Sequence, residues 1–181
     1  MTPLATDGRI AIRRFVPTDL AAFYAAIDES RAELARWMPW MHDGYTIADT
    51  QDWLENRDAE WDARRDFAVV VVDTRTGEIL GGTGLNQINH EQRFANLGYW
   101  VRTSRAGHGV ASAAARLCAR FAFAELGFGR AEIVVIRANL ASCRAAEKSG
   151  ARFEGFLRNR LYLHGDWHEA AMYSFVPGDL A

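Results

Sequence analysis

Apolar and polar residues alternate loosely over Arg9–Phe15, with Ile10 and Ile12 on one face, which predicts a short strand. Pro17-Thr18-Asp19 predicts a helix start, since proline suits a first turn and an aspartate favours the positive end of the helix dipole. Leu20, Phe23, Tyr24 and Ile27 recur at helical spacing and mark the buried face of that helix. Thr46, with Asp49 three residues on, forms a capping-box variant opening another helix, which carries Trp53, Leu54 and Trp61. Phe67–Val72 is an unbroken apolar run, the pattern of a buried strand. Thr74–Gly77 turns the chain into a glycine-bearing strand over Ile79–Ile88, followed by a polar loop Asn89–Arg93 and a strand over Phe94–Val101. Val110, Ala114, Leu117, Cys118, Phe121 and Ala122 form one stripe of a helix Val110–Leu126, with Gly127 as its C-terminal cap. A strand over Ala131–Ile136 precedes a short helix capped by Asn139 and ending near Gly150. Arg152–Leu163 and Trp167–Phe175 read as a hairpin around Gly165-Asp166.

The resulting order is one strand, two or three helices, three strands, helix, strand, helix, and a final hairpin. That is an α+β, or mixed α/β, arrangement. It lacks the regular βαβ alternation of a doubly wound dinucleotide fold. Between the early helices, Trp37-Met38-Pro39-Trp40 is aromatic and broken by proline. It serves equally well as a core lid or as the wall of an acceptor pocket.

Composition narrows the class. A length of 181 residues, 49% hydrophobic and 24% charged, fits one ordinary globular domain. A formal charge of −2 gives no electrostatic footprint for nucleic acid. Cys118 and Cys143 form neither a disulfide framework nor a zinc spacing, and both are expected to be packing residues. The beginning of the chain lacks the pattern of a signal peptide, and no apolar run has the length of a membrane span. A cytoplasmic enzyme or binding protein, without membrane or direct nucleic-acid partners, is the expectation. His164 and His168 are separated by a hairpin turn and lack a third ligand, so no metal is expected.

The most informative segment is Arg105-Ala106-Gly107-His108-Gly109-Val110-Ala111, between a strand and an apolar helix. A helix start leaves backbone N–H groups unpaired and carries partial positive charge, while glycines let an anion approach the backbone closely. Arg102, Arg105 and His108 add cationic or donor groups. The pattern is a phosphate cradle. A Walker A loop would need Gly-Lys-Ser/Thr, which is absent. A dinucleotide site would need an acidic residue closing the next strand, which instead ends in Ile136-Arg137. Another pyrophosphate-bearing ligand remains, and coenzyme A is one.

Leu97-Gly98-Tyr99-Trp100-Val101, the turn Gly107-His108-Gly109-Val110-Ala111, Asn139-Leu140-Ala141-Ser142 and Glu147-Lys148-Ser149-Gly150 together resemble the GNAT acetyltransferases. Leu34 to Trp37-Met38-Pro39-Trp40 and Tyr162-Leu163-His164-Gly165-Asp166-Trp167-His168 are similar to the ribosomal-protein N-acetyltransferase (RimJ/RimL-like) branch. The ordered set covers almost the whole chain. The resemblance implies a single domain over residues 1–181 and a central mixed, mostly antiparallel sheet flanked by helices. Counting Arg9–Phe15 as the first strand, the sheet would splay between the fourth and fifth. Acetyl-CoA, as co-substrate, would lie in that wedge, its pantetheine against the backbone of Tyr99, Trp100, Val101 and Arg102. Its pyrophosphate would rest on the amides of Ala106, Gly107, His108, Gly109, Val110 and Ala111, with Arg105, Asn139 and Ser142 completing the cofactor site. Such turns usually carry Arg or Gln where this chain has Ala106, and the arginine stands one place earlier, at Arg105. The resemblance also makes a homodimer plausible.

Acetyl transfer to an amine requires a deprotonated nucleophile, a positioned thioester, an oxyanion donor and a proton for the departing thiolate. The resemblance implies a free backbone N–H near Leu97–Tyr99 as oxyanion donor. It implies Ser142, the serine of the branch's Asn-x-x-Ser pattern, as the thiolate's acid; many other members carry a tyrosine where this chain has Ala146. Two positions where the family places a basic glutamate hold Asn96 and Leu161. His90, Glu91, His42 and Asp43 remain as candidate bases, and Trp37, Trp40 and His90 as acceptor-binding residues. An N-terminal α-amine, with a pKa of about 8, needs little help. The resemblance to the ribosomal-protein branch makes a protein N-terminus the leading acceptor, with a small amine the first rival and a non-catalytic acyl-CoA sensor the rival of another class. A dinucleotide oxidoreductase comes last.

Overall fold

A computed structural model describes residues 2–180. Eight strands form one sheet in the order β1-β2-β3-β4-β5-β6-β8-β7. They are β1 (Ala5–Thr6), β2 (Ile10–Arg13), β3 (Phe67–Asp73), β4 (Ile79–Asn89), β5 (Phe94–Val101), β6 (Arg130–Ile136), β7 (Arg152–Leu163) and β8 (Asp166–Phe175). Every neighbouring pair is antiparallel except β5 and β6, which run parallel and meet only over Phe94–Asn96 and Arg130–Glu132. Beyond Asn96 the two strands part. This is the mixed, splayed sheet expected, split between the strands Phe94–Val101 and Arg130–Ile136.

Over β2–β4 the sheet is buried on both faces. On one side, helix α5 (Val110–Ala124) sets Ala114, Leu117, Cys118 and Phe121 against Ile10, Ile12, Val69, Val71 and Leu97. On the other, helices α1 (Leu20–Glu29), α2 (Arg31–Trp37) and α3 (Ile47–Glu55) cover Ala11, Val70, Val72 and Ile79 with Phe23, Ile27, Leu34 and neighbouring aromatics. The unbroken apolar run of β3 follows from that arrangement, since alternate residues serve the two cores. Helix α6 (Leu140–Ser149) follows β6 and is closed by Gly150 at φ +93°.

Several boundaries differ from the sequence expectation. The first strand has a short antiparallel companion, β1, which two residues of ordinary composition do not announce. The tryptophan-bearing helix is two helices, α3 and α4 (Arg57–Asp62), because Asn56 turns its side chain back to the Asp52 carbonyl at 2.7 Å. The long helix α5 stops at Ala124 rather than Leu126, while Gly127, at φ +70°, closes its C-terminal end as expected, the Phe128 amide donating back to the Ala122 carbonyl at 3.0 Å. The β7–β8 turn is His164-Gly165 rather than Gly165-Asp166. Both residues have positive φ (54° and 82°), as a two-residue type I′ hairpin requires.

Candidate active site

Where β5 leaves β6, one edge of β5 loses its strand partner and a cavity of about 670 Å³ opens. Gly98 and Tyr99 of β5, Ile133–Ile136 of β6, and Asn139 and Ser142 of α6 line it. Glycine keeps the floor low. Gly84 pairs with Gly98 across β4 and β5, and a Cβ on Gly98 would meet nothing within 4 Å. A larger residue there would project into the space.

Two hydroxyls meet at the wall. Asn139 caps α6 by accepting from the Ser142 amide at 3.1 Å, which fixes the serine in the first turn. The Ser142 hydroxyl donates to Tyr99 Oη at 3.1 Å, and the Tyr99 hydroxyl donates to the Ser142 carbonyl at 2.9 Å. Burial pushes the Tyr99 phenol up to about 12, so it stays protonated at neutral pH. Both residues line the cavity.

The glycine turn sits at the start of α5. Gly107 and Gly109 have φ of +77° and +75°, a region open to glycine at no steric cost. The first backbone bond into the helix runs from Ala113 to the Gly109 carbonyl at 3.1 Å, so the amides ahead of it have no intrahelical acceptor. Ala106 donates its amide to Thr103 at 3.1 Å, so the open run begins at Gly107. Arg9, which the sequence pattern did not single out, reaches across from the approach to β2. It donates to the carbonyls of His108 at 2.8 Å and Gly109 at 3.4 Å.

The two arginines of this region point elsewhere. Arg102 is bonded to Glu29 and, at 3.0 Å, to Glu78, while Arg105 meets Glu78 at 2.5 Å. Glu29 also accepts from the Ser104 amide at 2.7 Å. These bonds, from Arg102 first and Ser104 next, hold the Glu29 carboxyl at about 2. Their charges are thus spent on docking the segment before the turn to Glu29 at the end of α1 and to Glu78 ahead of β4, which leaves the turn its own amides.

The remaining expected residues divide. Trp37 and Trp40 line the cavity, joined by Phe15, Phe23, Tyr45 and Trp53. Trp100 lines it too and packs on Phe23 at 5.4 Å. Val101 packs against the core on the α5 side. His90 does not join the cavity; it stands exposed on the turn between β4 and β5. His42 does line it, 3.8 Å from Asp49. Asn96 spends its amide on Asn86 at 2.8 Å, and Leu161 contributes an apolar wall. Asp66 is a lining residue that the sequence reading passed over, since a lone aspartate before a strand reads as a loop residue.

A sheet that splits beside a glycine-bearing helix start with open amides is the layout of an acyltransferase of the GNAT type. The acetyltransferase (GNAT) domain matches residues 9–152, and the chain belongs to that family; it is an N-acetyltransferase. It is 28% identical over 171 residues to the putative ribosomal N-acetyltransferase YdaF of Bacillus subtilis, covering 92% of this chain and 91% of that protein. Among solved structures it is similar to RimL, a ribosomal alpha-N-protein acetyltransferase in complex with coenzyme A, with a TM-score of 0.86 at 20% identity over 99% of this chain and 100% of that one. It is equally similar in fold to the microcin self-immunity acetyltransferase MccE in complex with acetyl-CoA and AMP. There the TM-score is 0.86 at 21% identity, over 97% of each chain.

Proposed function

We propose that the chain moves the acetyl group of acetyl-CoA onto the N-terminal α-amine of a protein, a ribosomal protein first among them. One observation carries the reading. A single cavity is lined both by the Tyr99–Ser142 hydroxyls and by the aromatic side chains of α1–α3, so a donor thioester and an amine-bearing chain end can share it. The residues present suit the donor. Free amides from Gly107 onward match a pyrophosphate, and the unpartnered edge of β5 offers N–H and C=O groups to an amide-bearing arm. YdaF and RimL support the acceptor class.

In this reading a β5 backbone N–H beyond Asn96 steadies the oxyanion. Ser142 passes a proton to the departing sulfur, and Tyr99 orients the serine. Coenzyme A release is the measurement, with a panel of free N-terminal peptides of ribosomal proteins, the same peptides blocked at the α-amine, and small amines. Turnover confined to free N-terminal peptides is expected. Turnover with small amines alone would move the acceptor to a small molecule, and tight acetyl-CoA binding without release of product would make the chain a sensor.

A further inference from the structure

Neither basic glutamate position is filled, yet the cavity wall holds two aspartates, Asp49 and Asp66. They are chemically unlike. Asp49 is spoken for: one of its oxygens accepts from the Thr46 amide at 2.7 Å and the Thr46 hydroxyl at 2.8 Å. Those bonds hold its carboxyl below the ordinary range, and it serves as a helix cap. Asp66 stands directly before Phe67, whose partner on β4 is Leu85, so it lies beside Asn86 on the cavity face of the sheet. Asn86 is in turn bonded to Asn96 of β5, next to the strand edge that the wedge exposes.

Asp66 is half-buried and, among the described residues, meets a single cation. Arg57 Nη1 approaches it at 3.3 Å without satisfying hydrogen-bond geometry. Arg57 is itself fixed, its Nε donating to the Trp53 carbonyl at 2.9 Å and its guanidinium lying 4.3 Å over the Trp53 ring. The guanidinium opposes the upward pull of burial on the Asp66 carboxyl without making a well-formed hydrogen bond to it.

We propose that Asp66 is the carboxylate that takes the proton from the acceptor's ammonium, through water in the cavity. The proposal rests on the acetyl-transfer reading above. The ammonium gives one proton to Asp66, and the freed lone pair forms the C–N bond at the thioester carbonyl carbon. The C–S bond then breaks with its electron pair on sulfur. The nitrogen sheds its second proton as the amide forms, the thiolate gains one through Ser142, and Asp66 returns its own to solvent. The groups facing Asp66 agree with this role. Burial raises its carboxyl above the ordinary value of 3.8, Glu60 on α4 adds to the rise, and Arg57 and the Ala68 amide pull against it. The net direction moves the carboxyl toward the operating pH, where a general base is most effective.

The test is the pH profile of kcat/KM for the wild type, Asp66→Asn, Asp66→Glu and His42→Ala, using whichever amine of the panel is turned over. Asp66→Asn is expected to lower kcat/KM about a hundredfold, to leave the KM for acetyl-CoA unchanged, and to remove the acid limb at carboxylate pH. Asp66→Glu and His42→Ala are expected to keep that limb. An Asp66→Asn profile equal to wild type overturns the proposal while leaving acetyl transfer intact, as does a limb lost in His42→Ala instead. A wild type inert toward every amine overturns the transfer reading and this step with it. Carbon-13 titration of the Asp66 carboxyl in the wild type needs no acceptor and decides the case even if Asp66→Asn misfolds. An apparent pKa above 3.8 is expected, and one at or below it overturns the proposal.

Discussion

In the proposed reaction Tyr99 and Ser142 divide one task between them. A thiolate leaving in a largely apolar cavity needs a proton close by, and the Ser142 hydroxyl on α6, which lines that cavity, is the proposed source. Its direction is set by two others: Asn139 holds its amide, and Tyr99 Oη receives its hydrogen. Tyr99, held protonated by burial, returns a bond to the serine carbonyl and so closes the pair. Removing either hydroxyl breaks the same unit. Ser142→Ala and Tyr99→Phe are each expected to lower kcat by about 10- to 100-fold. The double variant should fall little further, because groups acting as one unit are not additive. Steady-state coenzyme A release measures this, and a Ser142→Ala enzyme with unchanged turnover at every pH would remove the serine from the mechanism.

The glycine turn shows what an element adds to its residues. Its open amides follow from a helix start and two left-handed glycines, both local and both legible in the sequence. The brace from Arg9 is not local; it joins positions about a hundred residues apart, and no spacing along the chain announces it. Arg9→Ala is expected to weaken acetyl-CoA binding about tenfold, near 1.4 kcal/mol, through a looser turn, with the fold retained. Titration calorimetry beside thermal melting checks both halves. The same contrast runs through the fold. The β3 run, the β5 strand and the α5 stripe were legible because each repeats one signal over many residues. The break at Asn56 and the two-residue β1 were not, because each hangs on one contact supplied by the folded chain. In the site, the turn and Ser142 stood in recognisable order. Phe15, Trp53 and Asp66 became cavity residues only once the sheet brought its face to them.

At the scale of the molecule, the split sheet is two plates joined over three residue pairs, and each plate carries its own acidic lock. On the first, Glu29 ties α1 to Arg102 and Ser104, just ahead of the glycine turn. On the second, Glu154 of β7 accepts from Arg130 of β6 at 2.7 Å and from Ser174 of β8 at 2.6 Å. Both carboxyls are lowered from 4.5 to about 2, in each case mainly by the arginine bond. A depressed carboxyl contributes stability that is whole above its unfolded value and is lost as pH falls through its folded one. Acid destabilisation should therefore set in below about pH 4.5 and continue toward pH 2. Urea unfolding followed across that window should show a shallower slope in either Glu29→Gln or Glu154→Gln than in the wild type. The two locks differ in what else they hold. Only Glu29 restrains the approach to the cofactor turn, so Glu29→Gln should also weaken acetyl-CoA binding at neutral pH, whereas Glu154→Gln should leave it unchanged. Equal losses of affinity in both variants would mean that the plates do not act separately and that the wedge responds as one body.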